Sequence, residues 1–153
     1  MWVFYAFLSA FFAGIVAVLG KAGLRGIDST LATTVRGIIM AIFLILVSLS
    51  LGKFKGFSIE TFSSKEWVFI ALSGIAGALS WIAYFFALQH GTAGAVTAID
   101  KLSIVLTVIF AALFLKEVFS WEIALGAFLM SVGAMFIALP WEKMRSIFSS
   151  LFS

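Results

Sequence analysis

The sequence predicts an all-α, polytopic membrane protein with five transmembrane helices and a short C-terminal amphipathic helix. Three observations lead there. Hydrophobic residues fill 63% of the 153 positions and charged residues 11%, against roughly 45–50% and about 25% in a soluble domain. A water-soluble domain of this length cannot hide that much apolar surface. Charges and turn residues also divide the chain into five apolar stretches, each near the ~20 residues that a membrane helix needs.

The first stretch runs from about Trp2 to Leu19 or Leu24 and ends near Lys21, Arg25 and Gly26. No Lys or Arg precedes it, and it is long for the apolar region of a signal peptide, so it reads as a retained helix. Asp28-Ser29 supplies an N-cap for the second, which runs to about Leu51. Lys53, Lys55 and Gly56 mark a polar connection. Ser63 with Glu66 fits a capping box for the third, which reaches about Leu88, with Gln89-His90-Gly91 as the turn. The fourth runs from about Thr92 to Leu115 and stops at Lys116-Glu117. Ser120 caps the fifth and Pro140 ends it. These spans form one domain over residues 1–140. Residues 141–153 are too short to cross. Trp141, Met144, Ile147, Phe148 and Leu151 recur at helical spacing, with Glu142, Lys143 and Arg145 elsewhere. That pattern predicts an amphipathic interfacial helix, the alternative being a frayed tail.

Small residues recur four apart at Ala6, Ala10 and Gly14, at Ala13 and Ala17, and at Ala127 and Ser131; Gly74 and Gly77 mark one face of the third span. Such spacing suits close helix packing. Trp2, Trp67, Trp121 and Trp141 fall at span ends, as an aromatic belt requires.

The inventory excludes several classes of function. The net charge of +3 forms no basic patch, so no nucleic-acid partner is expected. Cysteine is absent and His90 is the single histidine, which rules out disulfides, thiolate chemistry and a histidine metal cluster. No nucleophile–base constellation and no ATP-binding loop is present, so neither an enzyme nor a cofactor is expected.

The candidate site consists of polar residues inside the spans. Ionisable groups there cost at least about 2.5–3.5 kcal/mol at the centre. Asp100 and Lys101 lie about three residues, roughly 4–5 Å, from the middle of the fourth span. Thr97, Ser103 and Thr107 fall within about 60° of Asp100 on a helix turning 100° per residue. This stripe faces a cavity or other helices. Lys101 points about 100° away, so the two charges need not pair within the helix. The pair either marks a transport pathway or makes a structural ion pair with another helix or protomer. Arg36, near Thr33 and Thr34, either snorkels to the headgroups or faces the pathway. Lys21 is expected to snorkel, and His90 to be a solvated turn residue rather than a proton relay. Trp81 lies well inside the third span with Tyr84 three residues on. Together they form either a pocket wall or a packing contact.

At these residues the chain resembles the EamA domain of the drug/metabolite transporter superfamily. Ala87-Leu88, Gly91, the Leu115-Lys116-Glu117 ending and the late Gly133 fit its second part; Lys21 and Arg36 fit its first. The resemblance covers about Phe4 to Leu139. It implies a secondary transporter of a small organic metabolite or drug-like molecule across a cytoplasmic membrane. Many family members carry a proline near the middle of the fourth span, where this chain has Asp100-Lys101, so a proline kink does not carry over. The membrane-embedded Glu of small multidrug resistance proteins is absent from the first span. Larger members join two five-helix halves of opposite orientation, and this chain resembles one half. That implies a homodimer, antiparallel in the bilayer, as the partner that completes the pathway. The alternative is a non-transporting membrane subunit or scaffold. Asp100 is then the candidate proton- or substrate-responsive carboxylate, with Lys101 or Arg36 holding an anionic group of the substrate and Trp81, Tyr84 and Thr97 beside them.

Overall fold

The computed structural model describes residues 1–24, 26–118, 120–139 and 141. Among them, five segments are long and apolar enough to cross a membrane: Trp2–Gly23, Ser29–Ser50, Ser64–His90, Ala93–Leu115 and Trp121–Ala138. The regular structure of the described residues is helical, in agreement with the all-α expectation. The helices gather into two compact units, Met1–His90 and one beginning at Gly91.

The first unit holds α1 (Trp2–Gly23), α2 (Ser29–Ser50) and α3 (Ser64–His90). Local side-chain chemistry sets their starts. Asp28 caps α2 by accepting a hydrogen bond from the Leu31 amide at 2.8 Å. The α2–α3 connection turns on Gly52 and Gly56, whose φ angles of +64° and +77° suit glycine. It then passes through a short 3₁₀ turn at Ile59–Thr61. At the head of α3 the capping box forms in both directions. Glu66 Oε2 accepts from the Ser63 amide at 2.7 Å, and Ser63 Oγ accepts from the Glu66 amide at 3.4 Å.

Two expectations at the far end of α3 need correction. Gln89 and His90 form the last turn of the helix, not a loop. Lys21 does not snorkel; its Nζ donates to Leu88 O at 2.6 Å and Gln89 O at 3.3 Å. The last carbonyls of a helix have no partner within it and carry its negative dipole end. An ammonium group placed there satisfies both needs and extends the helix. Gln89 Nε2 adds a bond to Ile27 O at 2.6 Å, tying the α1–α2 turn to the same end.

Helix α1 packs on α3 at Gly20, where a Cβ would lie 2.8 Å from Phe85 Cε1 and 3.4 Å from Leu88 Cδ1. Ala17, Phe85 and Leu88 are buried. Small residues therefore serve close packing at Ala17 and Gly20. At Gly14, Gly74 and Gly77 a Cβ would meet nothing within 4 Å among the described residues.

The second unit holds α4 (Ala93–Asp100), α5 (Ser103–Phe110), a π-helical turn at Ala111–Leu115 and α6 (Trp121–Ala138). Thr92 caps α4 and Ser120 caps α6, each through its hydroxyl oxygen. The fourth span is a broken helix. After Asp100 the backbone tightens: Leu102 N bonds Ile99 O at 2.9 Å, Ile104 N bonds Lys101 O at 3.1 Å and Val105 N bonds Leu102 O at 3.0 Å. These are i→i−3 bonds of the 3₁₀ kind. The break needs no proline and coincides with the two charges, Asp100 being a residue that competes with the backbone in a helix interior. The span ends at Lys116, in the left-handed region at φ 56°. Helix α6 packs on α4 and α5, and Ala98 and Ala134 are buried. Trp141 stacks on Phe136 and donates through Nε1 to Phe136 O at 2.7 Å. Pro140 as a helix stop, Arg25, and the amphipathic helix expected from Glu142, Lys143, Met144, Arg145, Ile147, Phe148 and Leu151 lie outside the described residues.

Candidate functional site

The polar residues singled out from the sequence fall into one cluster in each unit.

In the first unit, Arg36 lies two turns into α2, about 10 Å from Ser29 at 1.5 Å per residue. Its guanidinium carbon sits over the Trp81 ring at 3.9 Å from the centroid and over the Phe85 ring at 4.9 Å. Trp81 and Phe85 are four residues apart and so share one face of α3. Each contact of this kind contributes about 0.5–2 kcal/mol. Arg36 therefore bends onto the neighbouring helix and lies against its aromatic face. Tyr84 is half-buried and within electrostatic reach of the guanidinium. Arg36, Trp81 and Tyr84 are thus brought together.

Beside this cluster is a cavity of about 410 Å³ between α2 and α3, a volume typical of small-molecule sites. Helix α2 contributes Thr33, Thr34 and Gly37; α3 contributes Gly74, Gly77, Ala78, Trp81 and Ile82. Trp81 belongs both to the cavity wall and to the Arg36 contact. The open space at Gly74 and Gly77 belongs to this cavity. Thr33 and Thr34 donate their hydroxyl protons back to Ser29 O and Thr30 O at 2.7 and 2.9 Å.

A second cavity of similar size lies where the α1–α2 turn meets the C-terminal end of α3, lined by Lys21, Leu24, Ile27, Gln89 and His90 among others. His90 is exposed at the helix end, with Nδ1 2.9 Å from Phe86 O and its ring 4.7 Å from that of Phe86.

In the second unit, Asp100 Oδ2 and Lys101 Nζ form an ion pair at 3.6 Å. Neighbours one residue apart on a helix do not face each other, so the sequence did not require the two to pair. They meet because the long, flexible Lys101 side chain bends back across the gap. The side chains retain 38% and 50% exposure, so the pair is not sealed in a core. Thr97 lies one turn earlier on α4 and is half-buried.

Sequence reasoning missed Phe85 and Gly37. A signal for Phe85 was present: an aromatic four residues after Trp81 on the same helical face. Gly37 could be placed only once α2 was known to pack on α3.

Comparison with known proteins follows from this geometry. Residues 1–139 match the EamA-like transporter family. A curated protein of Sinorhizobium sp, named as the uncharacterized transporter in the cobO 3' region, is 38% identical over 138 residues. That alignment spans 90% of this chain and 96% of the relative. No solved structure matches the chain.

Proposed function

Because the chain belongs to the EamA-like transporter family, we propose that this multi-pass membrane protein is a secondary transporter of a small organic molecule across the cytoplasmic membrane. The observation that carries the reading is the Arg36–Trp81–Phe85 contact at the edge of the cavity between α2 and α3. A membrane helix that carries an arginine against two aromatic rings, next to space for a ligand, has placed a costly group where a substrate would use it. Asp100 and Lys101 serve as a second polar station on the pathway. The break in the fourth span supports that role, since interrupted helices recur at transporter sites. Transport draws on an ion or substrate gradient.

The working unit is a homodimer with its two copies antiparallel. A five-helix half of an inverted-repeat transporter supplies one wall of a pathway, and a second copy in the opposite orientation supplies the other. Residues 1–140 form the transmembrane domain and residues 141–153 an interfacial tail.

The test is a ligand-stabilisation screen on the purified protein, covering amino acids, nucleobases, carboxylic acids, polyamines and cationic drugs. Hits are then followed as flux into proteoliposomes holding this protein alone. Saturable flux of a stabilising ligand is expected. Binding without flux, restored by a second protein, would make the chain a subunit of another transporter.

A further inference from the structure

The chemistry around Arg36 narrows the class of substrate, on the reading that the cavity between α2 and α3 is the transport site. A guanidinium has five N–H donors in a planar fork and does not lose its proton in a protein. Among the described residues, Arg36 has neither an ion pair nor a hydrogen bond to a protein acceptor; it lies against the Trp81 and Phe85 rings, with Tyr84 in electrostatic reach. A ring face balances part of the charge and holds the group in place, but it gives the fork no oxygen to bind. A cation carried this far into a membrane helix favours an anion beside it, because few water dipoles are at hand to stabilise it. The adjoining cavity is apolar at Gly37, Gly74, Gly77, Ala78 and Ile82, with Thr33 and Thr34 on its α2 side and Trp81 shared with the Arg36 contact. Those walls suit an apolar body and offer no second cation.

We propose that this site takes small organic monocarboxylates. The two carboxylate oxygens pair with the Arg36 fork, and the apolar remainder fills the cavity against Trp81. A bidentate arginine–carboxylate pair is shorter and stronger than a neutral hydrogen bond and fixes the direction of the bound molecule. Organic cations are repelled by the same charge, and a neutral isostere loses the charge-assisted bonds. A dicarboxylate would leave one charge unpaired against apolar walls.

The experiment compares three molecules of one shape: 3-phenylpropionate, 3-phenylpropanamide and 3-phenylpropylamine, with hexanoate and octanoate as further carboxylates. Binding to the purified full-length protein in detergent is read by thermal unfolding and tryptophan fluorescence at neutral pH. At least one carboxylate is expected to raise the unfolding midpoint in a saturable way, with the amide and amine inert. Arg36→Gln should abolish the response. Arg36→Lys keeps the charge without the fork and should weaken binding roughly tenfold or more; it serves as the test if Arg36→Gln does not fold. The proposal is overturned if the amide or amine stabilises as strongly, if no carboxylate acts, or if either variant binds undiminished. Proteoliposome flux separates this from the transporter reading. Arg36-dependent binding without flux keeps the carboxylate site and removes the transporter. Flux of other solutes with no carboxylate binding does the reverse.

Discussion

Gly14 and Gly20 lie on the same helix and meet different surroundings. A Cβ at Gly20 would press on Phe85 at 2.8 Å, whereas one at Gly14 meets nothing within 4 Å. Gly20→Ala should therefore destabilise the protein by about 1–3 kcal/mol through overpacking. Gly14→Ala should be neutral or stabilising by up to about 1 kcal/mol, from helix propensity alone. Unfolding midpoints in detergent give both values. Lys21 offers a separate test at this scale. Lys21→Met keeps most of the apolar stem but removes the donor to Leu88 O and Gln89 O. It should cost roughly 1.5–3 kcal/mol, the range for hydrogen bonds to charged groups, and speed hydrogen exchange in the last turn of α3. Two tryptophans complete the set. Trp81→Phe should weaken substrate binding by disturbing the Arg36 contact, while Trp67→Phe loses only a bond to Ile59 O at the helix start. Equal effects on affinity would return Trp81 to a packing role.

The helix starts at Asp28, Ser63 with Glu66, and Ser120 were legible in the sequence because a cap is a contact between residues three apart. Sequence spacing alone decides it. The end of α3 was not legible, because Lys21 reaches it from another helix across 67 positions. The contact of Arg36 with Trp81 and Phe85 was hidden for the same reason. Nor was the break in the fourth span legible: it carries no proline or glycine, the usual punctuation of a helix. The charges Asp100 and Lys101 at the break invite a double-mutant test. Asp100→Asn is expected to leave the protein folded while impairing transport or its pH dependence; full activity with an unchanged pH profile removes Asp100 from the mechanism. If Lys101→Met unfolds the protein and adding Asp100→Asn rescues it, the pair serves structure instead.

For the whole chain, orientation in the bilayer follows from the Lys and Arg of its connections. With five spans, the N-terminus, the α2–α3 connection and the segment before α6 share a side. That side holds Lys53, Lys55, Lys65 and Lys116, and the opposite side holds Lys21, Arg25, Lys143 and Arg145. Arg36 stays out of the tally because it lies against α3. Four against four gives the insertion machinery little direction, as the proposed antiparallel homodimer requires. The chain has no cysteine, so single cysteines near Gly56 and near Ser149 are clean reporters. Both should label from outside intact cells, each in part of the population. Two lysines added to one side should then fix every copy in one orientation and abolish transport until an oppositely biased copy is co-expressed. Labelling of the parent from one side only would exclude the antiparallel dimer.

The tight turn after Asp100 also sets the rotational phase of the span. A 3₁₀ turn advances about 120° per residue where an α-helix advances about 100°. Two residues in the tighter winding rotate everything beyond them by about 40° relative to a continuous helix. Ser103 and Thr107 therefore come to about 20° on either side of Asp100, with Thr97 at about 60°, so the polar stripe is gathered from an arc of about 120° into one of about 80°. Rewinding Lys101 and Leu102 to α-helical spacing would turn α5 like a shaft about its own axis and spread the stripe again. A small exchange of backbone bonds at one turn would thus be geared to a large sweep of side chains below it.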